Sequence, residues 1–124
     1  MSLTWFNDEL KEIIVTVTTT QLTINKFGAT FFEKANQVML GYDPVKKIIA
    51  IKPLSKDDVM RGDIPEHTRY NVSLSSSYAR ITNKSFIKKV SDIFNLNPDK
   101  EGIKFKAIWK DNTELLEVLI NKEE

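Results

Sequence analysis

Apolar and polar positions alternate with a period of two along much of this 124-residue chain. The first such stretch, IIVTVTTTQLTI at residues 13–24, is rich in β-branched residues, which suit a pleated and half-buried surface. It predicts one long strand. Residues 38–53 and 105–120 each contain two alternating runs around a turn-forming Asp-Pro or Asp-Asn pair. Each of these two segments is predicted to be a β-hairpin, and the second turn would set Lys106 opposite Glu117.

Helical spacing is confined to shorter segments. The strongest pattern follows Ser85, which is placed to cap a helix that ends near Asn95. Its apolar face comprises Phe86, Val90, Ile93 and Phe94. Thr30 and Glu33 have the spacing of a capping box and predict a helix of about two turns. NDELKEI at residues 7–13 predicts another short helix near the N-terminus.

The two predicted hairpins match when one is displaced by 67 positions, because Tyr42 then falls on Trp109 and Ile49 on Leu116. TINK at residues 23–26 likewise resembles ITNK at 81–84, each before a predicted helix. The pattern suggests an internal duplication. The aligned hairpins share no identical residue, so the alternative is two unrelated amphipathic hairpins.

The chain is therefore predicted to be a single α+β domain over residues 1–124. It would contain two strand–helix–hairpin (β-α-β-β) repeats, residues 13–54 and 70–121, joined by a loop at 55–69. The repeats would form a mostly antiparallel sheet or a small barrel with one or two packed helices. Trp109 and Tyr42 are predicted to lie in the core.

The composition restricts the class of protein. With 41% hydrophobic and 28% charged residues, the chain is expected to fold. The net charge of +1 gives no general attraction to nucleic acid or anionic lipid, so any electrostatic function requires an uneven charge distribution. Cysteine is absent, and no apolar run approaches the ~20 residues that span a bilayer. A cytoplasmic protein with no membrane partner is expected.

Residues 69–90, RYNVSLSSSYARITNKSFIKKV, contain several cations and no acid. The cations are Arg69, Arg80, Lys84, Lys88 and Lys89. Such a stretch can neutralise phosphates and release their counterions. Tyr70 and Tyr78 could add stacking surfaces for unpaired bases. The alternative is that these side chains form the solvated faces of a strand and a helix, with the two tyrosines packed in the sheet.

Residues 80–120, RITNKSFIKKVSDIFNLNPDKEGIKFKAIWKDNTELLEVLI, resemble the swapped-hairpin unit of AbrB-type and MraZ-type transcription regulators. That unit has a short strand, a helix with a basic start, a loop and a hairpin. The resemblance implies that basic residues around the strand and the helix start contact DNA. In this chain those positions are held by Arg80, Lys84, Lys88 and Lys89.

Other chemistry has little support in the sequence. His67 is the single histidine, so one chain cannot build a multi-histidine metal site, and its place in the polar stretch IPEHTRY favours an exposed residue with no catalytic role. The acids of the 55–69 segment, Asp57, Asp58, Asp63 and Glu66, do not have calcium-loop spacing. The four glycines are isolated and form no phosphate-binding loop. We therefore expect no enzymatic activity, no cofactor and no metal.

Two functions remain. The first is a small nucleic-acid-associated protein or regulator-like domain that binds phosphates through Arg69, Arg80, Lys84, Lys88, Lys89 and Tyr78, on duplex or single-stranded nucleic acid. The alternative is a non-catalytic protein-interaction or homodimerisation module. It would use residues 13–24 as an edge strand, or whichever of Phe31 and Phe32 cannot point inward.

Overall fold

The computed structural model describes residues 12–123. Strands β1 to β4 are Ile13–Val17, Gln21–Asn25, Gln37–Asp43 and Ile48–Leu54. Strands β5 to β9 are Tyr70–Asn71, Ser73–Leu74, Tyr78–Thr82, Ile103–Lys110 and Leu115–Glu123. Helices α1 to α3 are Lys26–Ala29, Lys56–Met60 and Lys84–Phe94, and 3₁₀-turns cover Thr30–Phe32 and Glu66–Thr68. Residues 7–11 of the predicted N-terminal helix lie outside the described residues, and Ile13 already belongs to β1.

The strands form one antiparallel sheet in the order β5-β3-β4-β9-β8-β1-β2-β7-β6. Its two edge strands, β5 and β6, are consecutive in the chain and are separated by Val72 alone. The extended run 70–74 therefore touches β3 on one side and β7 on the other, so the sheet is a nearly closed barrel. The predicted antiparallel sheet or small barrel is confirmed.

One hydrophobic core fills this barrel. Alternate residues of the strands are buried, among them Val15, Leu22, Val38, Ile51, Ile81, Phe105 and Leu116. Phe32 from the first 3₁₀-turn and Ile87 and Val90 from α3 join the same cluster. Phe32 is fully buried whereas Phe31 is 38% exposed, which confirms that only one of the pair points inward.

The single strand predicted at residues 13–24 is wrong, because the chain turns back at residues 18–20 to form a β1–β2 hairpin. The Thr18 hydroxyl accepts hydrogen bonds from the backbone N–H groups of Thr20 and Gln21 and so stabilises the turn. Moreover, β1 lies between β8 and β2, and β2 lies between β1 and β7. Neither strand is an edge available for pairing with another chain.

The second hairpin has a longer turn than predicted. Lys110 pairs with Leu115, so the connection is four residues long and Ile108, not Lys106, lies opposite Glu117. The Lys106 ammonium instead lies 3.5 Å from the carboxylate of Glu12.

The helices start at residues other than those predicted. Asn83, not Ser85, caps α3, because its side-chain oxygen accepts the backbone N–H of Phe86. The predicted end is confirmed: Asn95 closes α3 with φ 55°. Asn25 caps α1, and no capping box forms at Thr30, which lies in the following 3₁₀-turn.

The segment 55–69 was predicted to be a loop, yet it contains α2 and the second 3₁₀-turn. A capping box starts α2: the Ser55 hydroxyl accepts the Asp58 N–H, and the Asp58 carboxylate accepts the Ser55 N–H. The short helix lacks apolar periodicity and buries none of its residues, which is why its sequence resembles a loop.

Replacing Asn83 by alanine should lower the free energy of unfolding by about 1 kcal/mol, because a helix N–H loses its acceptor. Ser85→Ala should change it by less than about 0.5 kcal/mol, since Ser85 is an exposed residue inside the first turn. Urea denaturation of the two variants would distinguish the caps. A larger loss in Ser85→Ala would contradict the assigned start of α3.

Candidate nucleic-acid interface

The barrel brings together two acid-free parts of the chain. Residues 13–32 and 67–91 contain no aspartate or glutamate. They supply β1, β2, β7 and β6, which are neighbours in the sheet. Together the two runs carry six cations, so the remaining residues carry a net charge of −5 within a total of +1. The near-neutral chain is therefore strongly uneven in charge once it is folded.

Side chains that point away from the core form a cross-strand row on these strands. The register pairs Ser73 with Arg80, Arg80 with Thr23, Thr23 with Thr16, and Thr16 with Lys104 of β8. With strands about 4.8 Å apart, Arg80 and Lys104 anchor the row roughly 14 Å from each other. We call this row, together with Tyr78, the basic face; its residues are Ser73, Tyr78, Arg80, Thr23, Thr16 and Lys104.

A shallow depression runs along the basic face. Its volume is about 360 Å³, and Ile14, Thr16, Thr23, Asn25 and Lys104 line it. The lining contains hydroxyl, amide and ammonium groups but no carboxylate. Such groups can donate hydrogen bonds to phosphate and sugar oxygens.

Tyr78 and Arg80 lie on the same side of β7, two residues apart. The guanidinium carbon of Arg80 lies 5.6 Å from the centroid of the Tyr78 ring, a cation–π contact. Tyr70, by contrast, packs against the core and its hydroxyl lies 3.4 Å from the His67 carbonyl oxygen, to which it donates. Of the two candidate tyrosines, the structure leaves Tyr78 on the outer surface.

Three of the predicted lysines lie on α3, which follows β7 directly. Lys84, Lys88 and Lys89 are exposed, and within residues 12–123 no ion pair involves them. The backbone N–H of Asn83 donates to the Thr20 carbonyl, which fixes the start of α3 against the β1–β2 turn. The lysines therefore extend the positive region beyond one end of β7.

Arg69 has a different environment. Its Nη1 donates to Gln37 Oε1 over 3.0 Å, and the Gln37 amide donates in turn to Asn71 over 3.2 Å. Its Nε is enclosed without an acceptor. Arg69 lies four residues before Ser73 on the extended run, on the order of 13 Å away. It therefore joins β3 to β5 and does not belong to the basic face.

The sequence pattern did not identify Lys104, Thr16 and Thr23 as part of a site. Alternation in IKFK indicates that Lys104 points outward, and alternation in TVTTT does the same for Thr16. The missing information was the pairing of β1 with β8 and of β2 with β7, which joins segments that are far apart in sequence.

Two acids of the 55–69 segment, Asp58 and Asp63, form ion pairs with Arg61. Arg61 lies 2.8 Å from the Asp58 carboxylate and 3.7 Å from that of Asp63. Hydrogen bonds from the backbone and side chain of Ser55 lower the pKa of Asp58 below its ordinary value, and Arg61 adds to this effect. Among residues 12–123 no three His, Asp or Glu side chains are grouped to hold a metal ion.

Tyr42 and Trp109 were both predicted to lie in the core, but they are buried to different extents. Tyr42 is 39% exposed because it lies one residue from the end of β3, at the rim of the barrel. Trp109 is partly buried and packs against the core. Its ring stacks on Phe31 with centroids 4.4 Å apart, and its indole N–H donates to Asp111 over 2.7 Å.

Over the described part of the chain, no helix has the length and apolar character needed to cross a bilayer. No protein-family model, curated protein or solved structure matches the chain.

Proposed function

We propose that this protein is a non-enzymatic nucleic-acid-binding domain that contacts phosphates through the basic face. One observation carries the proposal: β1, β2, β7 and β6 are adjacent in the sheet, and none of them contains an acidic residue. Arg80 and Lys104 provide positive charge on either side of Thr23 and Thr16. The exposed lysines of α3 extend the surface. A cytoplasmic location fits this function.

The arrangement suits a polyanion better than a single small anion. Its cations are spread over roughly 14 Å of sheet and a further helix, and they do not converge on one point. The Thr23 and Thr16 hydroxyls between Arg80 and Lys104 can bond to a backbone without reading its sequence. Binding of this kind gains free energy from counterion release and weakens as salt is added.

We infer further that the two halves of the barrel are copies of one unit. The β1–β2 and β6–β7 pairs correspond, as do β3–β4 and β8–β9, while β2–β7 and β4–β9 join the halves to each other. Lys47 and Glu114 have φ values of 57° and 54° at the ends of the two hairpin turns, 67 positions apart. Asparagine caps both α1 and α3.

Hairpins that pair across two halves are the arrangement implied by the resemblance to swapped-hairpin transcription regulators. The correspondence of the halves supports that resemblance, and with it a role in association with nucleic acid. A fold can be shared without its function, so binding has to be measured directly.

The test is a salt titration of the full chain with fluorescently labelled duplex and single-stranded DNA, followed by anisotropy. If Arg80, Lys104 and the three α3 lysines each neutralise one phosphate, log K should fall against log salt with a slope of about −4.5 on duplex or −3.5 on single strands. Lys84/Lys88/Lys89→Ala should flatten the slope by about two to three. A slope near zero, or no binding at low salt, would contradict the proposal.

The alternative function, protein interaction, retains one supporting observation. Phe31 is 38% exposed, and with Trp109 it lines a cavity of about 480 Å³ at the end of the barrel where α2 begins. If this aromatic pair joined two copies, analytical ultracentrifugation would show a salt-insensitive dimer that dissociates in Phe31→Ser. A monomer at all concentrations would remove this alternative as a homodimer.

A further inference from the structure

We propose that the basic face binds nucleic acid as an unpaired strand, with one base stacked on the Tyr78–Arg80 pair and the backbone crossing β2 and β1 toward Lys104. This inference rests on the proposed function and specifies its ligand. It follows from the placement of the single outward tyrosine of β7, from the depression beside it and from the breadth of the sheet.

Tyr78 and Arg80 place an aromatic ring and a guanidinium group next to each other on one strand. The guanidinium carbon of Arg80 lies 5.6 Å from the ring centroid of Tyr78, so the two groups already hold each other in place. Both are partly exposed, and Tyr78 is not part of the core. Aromatic rings and arginine planes stack on bases that are free of a duplex, whatever the base.

The depression lies beside the Tyr78–Arg80 pair. It continues over Asn25, Thr23 and Thr16 to Lys104 and contains no carboxylate. Asn25 is the cross-strand partner of Tyr78, and Thr23 is that of Arg80, so the pair borders the depression directly. A backbone leaving a stacked base therefore meets the Thr23 and Thr16 hydroxyls first and an ammonium group at the far end.

The breadth of the sheet disfavours a duplex on the same surface. From β7 to β8 the backbone alone spans roughly 14 Å, whereas the major groove of B-DNA is about 12 Å wide. A duplex could then contact the basic face through its outer phosphates, but it could not present a base to Tyr78. A duplex read by α3 would instead engage Lys84 and Lys88 and leave Tyr78 without a role.

The experiment compares labelled oligothymidine and oligoadenine strands with the duplex that they form, at one low salt concentration, on the full chain. The variants are Tyr78→Leu, Tyr78→Phe and, as a control, Tyr42→Leu, which removes an exposed tyrosine from β3. Circular dichroism establishes that each variant is folded.

We expect both single strands to bind about tenfold more tightly than the duplex. Tyr78→Leu should weaken single-strand binding by about five- to a hundredfold, while duplex binding stays within about twofold. Tyr78→Phe retains the stacking ring and should stay within about twofold of wild type, as should Tyr42→Leu.

Equal affinity for duplex and single strand, or full single-strand affinity in Tyr78→Leu, would overturn the inference. If binding still weakened steeply in the salt titration described above, the proposed function would stand and only the ligand form would be wrong. Failure of every nucleic acid to bind at low salt would overturn both.

Discussion

Replacing both Arg80 and Lys104 by glutamate is expected to weaken the binding of a labelled single strand by at least about a hundredfold near 50 mM salt. Each phosphate contact contributes about a factor of ten through counterion release at that salt concentration. The two substitutions remove the charges at both ends of the cross-strand row, and the new carboxylates then repel the phosphates. Anisotropy titrations of the folded variant would measure the loss.

The matched control is Lys46→Glu with Lys56→Glu, which changes the net charge by the same amount. Lys46 lies in the turn between β3 and β4, and Lys56 in the first turn of α2; both are exposed. Binding should stay within about threefold of wild type, because charges beyond the Debye length, about 14 Å near 50 mM salt, are largely screened. Equal losses in the two double variants would mean that net charge, and not the basic face, governs binding.

The largest effect on stability is expected from Phe32→Ala, which should lower the free energy of unfolding by about 3–5 kcal/mol. The Phe32 side chain is fully buried and belongs to the core cluster that the strands and α3 share. Its removal loses apolar burial and leaves a cavity that the closed sheet can fill only in part. Urea denaturation with a shared m-value would give the difference.

Phe31→Ala is the control for Phe32→Ala, because it deletes the same side-chain atoms at the adjacent position. Phe31 is 38% exposed and stacks on Trp109 outside the core cluster. The loss should be about 1 kcal/mol, from one aromatic contact and partial burial. Similar losses for Phe31→Ala and Phe32→Ala would contradict the inward position of Phe32.

Local periodicity was sufficient to predict the main elements. Alternation in residues 38–53 and 105–120 gave both long hairpins, since inward and outward positions on a strand differ by one residue. Apolar residues three and four positions apart around Val90 predicted α3, because such residues lie on one face of a helix. The adjacent Phe31 and Phe32 could not share one short inward face, so their different burial also followed from sequence.

Turns and caps were predicted less well, because their residue preferences overlap. The β-branched run at residues 13–24 alternates in the same way whether it forms one long strand or a tight hairpin. No glycine or proline marks the turn at residues 18–20. Asn83 and Ser85 are both good N-caps two residues apart, so propensity alone did not separate them. The choice depended on the Thr20 carbonyl, which accepts the Asn83 N–H from a distant part of the chain.

The sequence by itself determined the sheet-rich fold, the alternation of inward and outward positions along the two long hairpins, and the cationic character of residues 69–90. Only the tertiary structure decided that residues 13–32 lie beside 67–91, that Lys104 completes the row begun by Arg80, and that Arg69 lies elsewhere. The physical reason is that periodicity is a property of neighbouring residues. Strand pairing instead selects partners across the whole chain, and a binding face on a barrel is made by that pairing.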